Sequence, residues 1–308
     1  MRYFIKKVIL FGIVLLVSFP IFVFIVSTSP VLEGNLIAQS GCFGFTYKRI
    51  PDYTDFISKK NLGEKAIILG TSTAYQGISP DILNTNEVSF FNLASSRQVL
   101  PISKNLIKSI DLESNVKFIL VDIYPELLNT STVESTRDLI VNNPDLMQFN
   151  ILKLALESKD LSNVLLYSYF LVSRELFGKD IFIKEKSTTD CSNNFEYAKG
   201  YAGALFPAFE GEIKVQESQT IDFEKNMDFQ EIEQWCKTNN IGLIYIISPE
   251  LGKRDITLKN QNTIVINGNL ANLPKESFYD DHHLNKEGSI KYTNWLKEQL
   301  ISFNVLAD

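Results

Sequence analysis

Short apolar runs separated by helix-like segments constrain this fold more than any other feature of the sequence. Lys65-Ala-Ile-Ile-Leu-Gly70, Val88-Ser-Phe-Phe-Asn-Leu93, Lys117-Phe-Ile-Leu-Val-Asp-Ile123 and Ile241-Gly-Leu-Ile-Tyr-Ile-Ile247 read as near-continuous apolar stretches of strand length. Strands buried on both faces of a parallel sheet have this composition. A shorter run, Thr263-Ile-Val-Ile-Asn267, follows. Between the runs, apolar residues at Ile102, Leu106, Ile107 and Ile110 have helical spacing, and residues 223–239 and 286–303 read as helices. This alternation predicts an α/β fold with a parallel sheet covered on both faces, whose active groups gather at the carboxyl ends of the strands. Residues 133–178 read as helical and 185–220 as loop, so an insertion at about 130–220 interrupts the regular domain at 63–308. Such an insertion is either a specificity element or a plain surface excursion. Residues 28–62 read as an irregular stem, broken by Pro30, Gly34, Gly41, Gly44 and Pro51.

With 45% hydrophobic and 21% charged residues, the 308-residue chain can bury a sizeable core. A net charge of −6 and the lack of any Lys/Arg block argue against nucleic acid as a partner. Cys42, Cys191 and Cys236 form no CxxC pair, and the only histidines are His282 and His283. That argues against a Cys/His zinc site and predicts no metal or cofactor. One disulfide with a spare thiol is compatible with the count, and no pairing is selected.

From Val8 to Val26 the chain reads VILFGIVLLVSFPIFVFIV, long enough to cross a bilayer as a helix. Arg2, Lys6 and Lys7 precede it and the next charge is Glu33, so the positive-inside tendency leaves the amino terminus in the cytoplasm. The expectation is a transmembrane anchor at 1–30, a stem at 31–62 and an extracytoplasmic domain. A cleaved signal peptide and a buried core helix are the alternatives; the run is long for the first and no small-x-small site follows it.

Two segments that follow apolar runs carry the candidate chemistry. In Gly70-Thr-Ser-Thr73, Ser72 would sit on a strand-to-helix turn, with its hydroxyl outward and its own N–H facing a developing oxyanion. A structural reading, in which the Ser and Thr residues cap a helix, competes with this one. In Tyr279-Asp-Asp-His-His-Leu-Asn-Lys-Glu-Gly288, a D-x-x-H spacing lets one loop present an imidazole and the carboxylate that orients it. Serine needs such a base near neutral pH, and no histidine lies elsewhere. The competing reading is a polar turn capping the last helix.

Gly70-Thr-Ser72, Asn92-Leu-Ala-Ser-Ser96 and Asp280-x-x-His283-Leu-Asn285 with Gly288, in this order at strand ends, resemble the SGNH/GDSL hydrolase superfamily over residues 64–303. The resemblance implies a three-layer, flavodoxin-like α/β fold with Ser72 as nucleophile, His283 as base and Asp280 as its acid. Asp281 and His282 are then bystanders. The amino-terminal apolar segment and the G-T-S of Gly70–Pro80 are similar to membrane-anchored SGNH proteins of polysaccharide O-acetylation, of the alginate acetylation and teichoic-acid D-alanylation types. The family's oxyanion donors are only partly matched. Arg97 stands where a glycine would, able to donate its N–H if its φ is negative, and the Val121–Glu126 block has no asparagine. Arg97 and Tyr124 are the replacement candidates, with Asp122 either orienting Arg97 or forming a strand-end turn. The function this implies is acyl transfer or ester hydrolysis on a cell-surface glycan, beside a membrane acyl-donor protein. The alternative is a non-catalytic glycan-binding or assembly subunit on the same scaffold. No long apolar lid points to a lipase.

Overall fold

A computed structural model describes residues 43–60, 63–128, 130–142, 150–177, 195–213, 217–252, 255–259 and 261–307, with scattered positions between 6 and 21. The apolar run Val8–Val26, the proposed anchor at 1–30, most of the stem, Cys42 and Cys191 lie wholly or mostly outside these residues. Among the described residues no helix is long and apolar enough to cross a membrane.

The expected runs become five strands of one sheet: β1 (Glu64–Leu69), β2 (Val88–Asn92), β3 (Val116–Asp122), β7 (Gly242–Ile247) and β9 (Ile264–Asn267). Their order is β2-β1-β3-β7-β9 and every pairing is parallel. The sheet is buried on both faces because alternate residues of each strand enter different cores. Ala66 and Ile68 of β1, with Phe90, Leu120, Ile244 and Ile266, face the helices α2 (Ser72–Gly77), α3 (Pro80–Leu83) and α9 (Lys286–Ser302). Ile67 and Leu69, with Phe91, Ile119, Val121 and Tyr245, face the opposite helical layer. That layer contains α1 (Phe43–Ser58), α4 (Leu100–Lys108), α5 (Val133–Asn142), α6 (Ile151–Glu157), α7 (Leu161–Phe177) and α8 (Met227–Thr238). The result is a three-layer α/β fold. Each fully buried Ile, Leu or Phe contributes about 1.5–3 kcal/mol, so this two-sided burial is the main source of stability.

Three expectations change. The segment read as irregular stem is helical over Phe43–Ser58, with Pro51 inside it. Ile50, Tyr53 and Phe56 recur at helical spacing and are all buried in the core. Their burial offsets the roughly 3 kcal/mol that an interior proline costs. Lys65, itself buried, then anchors the helix end by donating to the carbonyls of Ile57 (2.7 Å) and Ser114 (2.9 Å). The segment read as loop holds a hairpin, β4 (Phe195–Ala198) and β5 (Tyr201–Ala204). It also holds β6 (Gln219–Asp222), which pairs in parallel with β8 (Ile256–Lys259), a strand not anticipated from the sequence.

The hairpin turn is Lys199-Gly200, with φ of 49° and 82°, the two left-handed positions of a type I′ turn. The turn is seated on the sheet: Asn92 N–H donates to the Lys199 carbonyl at 3.0 Å, and Lys199 pairs with Asp81 at 2.6 Å. Tyr197 donates to Asp52 of α1 (2.8 Å), Tyr201 bonds Ser289 of α9 (2.8 Å), and Lys286 pairs with Glu196. A Cβ on Gly200 would fall on the Asn92 carbonyl oxygen. Gly200→Ala is therefore expected to cost about 2–4 kcal/mol in urea unfolding. Glu196→Ala, which removes only an exposed ion pair, should stay within about 1 kcal/mol. Equal midpoints for the two variants would contradict the seating described.

Candidate active site

The loops at the carboxyl ends of β1, β2, β3 and β7 converge on one place. After Leu69, Gly70 takes φ +142°, and a Cβ there would meet the Cβ of Asp122 at 2.5 Å. Only glycine lets the chain turn this close to β3. Thr71 is the N-cap of α2, its hydroxyl accepting from Thr73 N–H at 3.3 Å. Capping thus falls to Thr71, and Ser72, the first residue of the helix, is left facing outward.

Ser72 Oγ lies 2.7 Å from Nε2 of His283. His283 Nδ1 lies 2.7 Å from Oδ2 of Asp280. With the carboxylate accepting from Nδ1–H, Nε2 is the nitrogen free to accept the serine hydroxyl. The other Asp280 oxygen accepts from the backbone N–H of His282 (3.0 Å) and of His283 (2.7 Å), which fixes the acid beneath the ring. Burial raises the Asp280 pKa, but the His283 hydrogen bond and charge outweigh it and bring the group down to about 2. Burial also lowers the His283 pKa below its usual 6.5; the Asp280 hydrogen bond opposes this and the neighbouring His282 reinforces it. At neutral pH the pair is therefore carboxylate and neutral imidazole, the state a general base needs.

The loop itself is held from several sides. Tyr279 lies parallel to His283, with ring centroids 5.4 Å apart and planes 5° apart, and donates to Gln76 Oε1 at 2.5 Å. Phe206, just past the β4–β5 hairpin, packs on Tyr279 at 4.8 Å. Asn285 caps α9 by accepting from Gly288 N–H at 2.9 Å. Asn92, fully buried at the end of β2, donates to the carbonyls of Ala74 and Ile78 (both 3.0 Å) and so ties down α2. Tyr279, Gln76 and Phe206 were not singled out from the sequence; they belong to no periodic pattern, and their contacts join distant segments.

The other expected residues fall as follows. Asp281 and His282 stand outside the Ser72–His283–Asp280 chain: His282 Nδ1 lies 2.5 Å from Asp281 and its ring stacks on Tyr124 at 5.4 Å. Asp280, His282 and His283 offer ligand atoms within 4.8 Å of one another, a geometry able to hold a cation. Both ring nitrogens of His283 already bond Asp280 and Ser72, so a cation there would compete with the serine. Arg97 does not take the negative φ on which its N–H donation was predicated; its φ is +48°. Its exposed guanidinium pairs with Glu134 at 2.7 Å and not with Asp122. The Tyr124 hydroxyl donates to Glu126 at 3.3 Å. Cys236 is buried and free.

Asp122 has a different role from either expected one. Its Oδ2 accepts from Thr73 Oγ1 at 2.6 Å, and its Oδ1 from Ser248 N–H (3.1 Å) and Oγ (2.7 Å); the Thr71 N–H also donates to it. The carboxylate therefore joins the turn carrying Ser72 to the end of β7. Burial raises its pKa to about 6, with these four hydrogen bonds opposing the rise. Because the folded value lies above the solvated 3.8, the group stabilises the fold fully below about pH 4, and this contribution is lost as pH rises through 6. Relative to Asp122→Asn, the wild type is expected to lose about 3 kcal/mol of unfolding free energy between about pH 4 and pH 7. Denaturant titrations of both proteins at several pH values would measure it, and parallel pH curves would refute the assignment.

Fold and site together define a three-layer α/β protein with a Ser–His–Asp hydrogen-bonded chain at the carboxyl edge of a parallel sheet. No known family model matches the sequence, and no curated protein matches it either.

Proposed function

We propose that the chain is a serine-dependent acyltransferase or esterase of SGNH type, acting outside the cytoplasm on a cell-surface glycan while anchored by residues 1–30. The observation that carries the reading is the unbroken chain Ser72 Oγ–His283 Nε2, His283 Nδ1–Asp280 Oδ2, with both contacts at 2.7 Å. Sheet order and strand-end placement agree with the flavodoxin-like topology that this superfamily implies. The apolar run with its basic flank supports the anchor and the orientation.

In the proposed reaction Ser72 Oγ bonds to the ester carbonyl carbon as its proton passes to His283 Nε2. The tetrahedral oxyanion collapses, the C–O bond to the leaving alcohol breaks, and His283 returns the proton to that alcohol. The acyl-serine is then taken by a sugar hydroxyl or by water, with His283 again accepting and returning a proton. Asp280 stays ionised and stabilises the imidazolium. The Ser72 N–H is the oxyanion donor of this mechanism; Arg97, with φ +48° and its side chain paired with Glu134, does not meet the condition set for its N–H.

A fluorophosphonate probe on the full chain should label Ser72, and Ser72→Ala should abolish the label. With an aryl acetate, Ser72→Ala and His283→Ala are each expected to lower kcat by about 10⁴–10⁶ and Asp280→Asn by about 10⁴. The wild-type rate should fall with acid on a limb lying below pH 6.5, where His283 becomes protonated. Activity that survives both Ser72→Ala and His283→Ala would end the proposal. Absence of both label and turnover would favour the glycan-binding subunit.

A further inference from the structure

Beside the base stands a second imidazole that the proposed mechanism does not use. The ring centroids of His282 and His283 are 3.9 Å apart, and His282 is held in place by its stack on Tyr124. Its Nδ1 faces two carboxylates, Asp281 at 2.5 Å and Asp280 at 3.7 Å. Asp280, His282 and His283 each bring a ligand atom within 4.8 Å of the other two. Two ligands of one zinc ion stand about 3.3 Å apart, given bonds of about 2.0–2.2 Å and tetrahedral angles. A side-chain rotation of about 1.5 Å or less closes the set. All three side chains are partly exposed, within reach of an ion from solvent.

The surroundings favour a cation. Tyr124, stacked on His282, has Glu250, Glu126 and Asp281 as charged neighbours. Among the described residues no lysine or arginine pairs with Asp280 or Asp281. Magnesium and calcium prefer oxygen-only shells, whereas two imidazoles with a carboxylate suit zinc, nickel or copper. Asp281 supplies a further oxygen beside His282, able to complete four-coordination or to orient the ring.

Such an ion would silence the base. If His283 ligates through Nδ1, the single proton of the neutral ring moves to Nε2, which can then no longer accept the Ser72 proton. If it ligates through Nε2, the ion takes the place of the Ser72 hydroxyl. In both cases Asp280 is drawn from the imidazole to the metal.

We infer that Asp280, His282 and His283 form a binding site for a zinc-class divalent ion, with His282 as its dedicated ligand, and that the ion reversibly switches off Ser72. The switch rests on Ser72 and His283 being nucleophile and base, whereas the ion site rests on geometry alone. Asp281 and His282, which stand outside the acyl-transfer chain, thereby gain a role.

Zinc would be titrated by isothermal calorimetry into the detergent-solubilised full chain carrying Ser72→Ala, which keeps all three ligands. His282→Phe in that background keeps a ring against Tyr124 but removes both nitrogens, and should weaken zinc at least about tenfold. With Ser72 present, zinc should inhibit aryl-acetate turnover with a constant within about threefold of the calorimetric Kd, and a chelator should restore the rate. Without zinc, His282→Phe should turn over within about threefold of wild type, because the backbone N–H to Asp280 stays. Magnesium and calcium should leave the wild-type rate unchanged. His282→Ala covers the case in which phenylalanine disturbs the loop. Absence of zinc binding, binding that neither His282 variant weakens, or equal inhibition by magnesium would overturn the site. His282-dependent zinc binding in a chain without Ser72-dependent turnover would keep the ion site and remove the acyl-transfer reading.

Discussion

The buried carboxylate of Asp122 holds the working end of this molecule together. It sits at the end of the central strand, takes hydrogen bonds from the turn after β1 on one side and from Ser248 after β7 on the other, and has little access to water. A charge so placed is costly unless every lone pair is satisfied. Here hydroxyls and backbone N–H groups satisfy it, and no arginine or lysine pairs with it among the described residues. Burial raises its pKa, and the neutral donors oppose that rise without cancelling it. The same donors fix Thr71 and Thr73 around Ser72, so the placement of the Ser72 hydroxyl is inherited from the sheet.

The insertion is integrated into this arrangement. Its hairpin reaches α1, α3 and α9 through Tyr197, Lys199, Tyr201 and Glu196, while Phe206 just beyond it packs against the ring stacked on His283. The histidine loop is thereby supported from the insertion side by aromatic contact and from the α2 side by the Tyr279–Gln76 hydrogen bond. A plain surface excursion would have no such contacts with the site. Of the two readings the sequence allowed for this region, the packing supports a part in shaping the site.

Much of the sheet was legible because a strand buried on both faces must be apolar throughout, and that leaves an unbroken signature such as Ala66–Leu69 or Phe118–Val121. The small strands carried none: Phe195–Ala198 and Tyr201–Ala204 are four residues each, with Glu196 and Gly203 among them, and Ile256–Lys259 is equally short. The helix at 43–58 was hidden by Pro51, whose propensity argued for a break that tertiary burial overrode. Ser72, His283 and Asp280 could be read because two short motifs bring their chemistry in fixed spacing. Asp122 could not be assigned, since its partners at Thr73 and Ser248 are 49 and 126 positions away and no local pattern encodes such a contact. Its expected tie to Arg97 failed for a related reason: Glu134, on a helix of the insertion, offers that guanidinium an exposed partner at lower desolvation cost.

The 211-position separation between Ser72 and His283 has a consequence for how the protein comes into being. The hydroxyl lies on the first strand-to-helix turn of the sheet, whereas its base lies just before the last helix, so a growing chain carries an ordinary serine through almost all of its synthesis. Contacts this distant in sequence form late and slowly. The Ser72–His283 contact therefore exists only once α9 has docked and the sheet is complete.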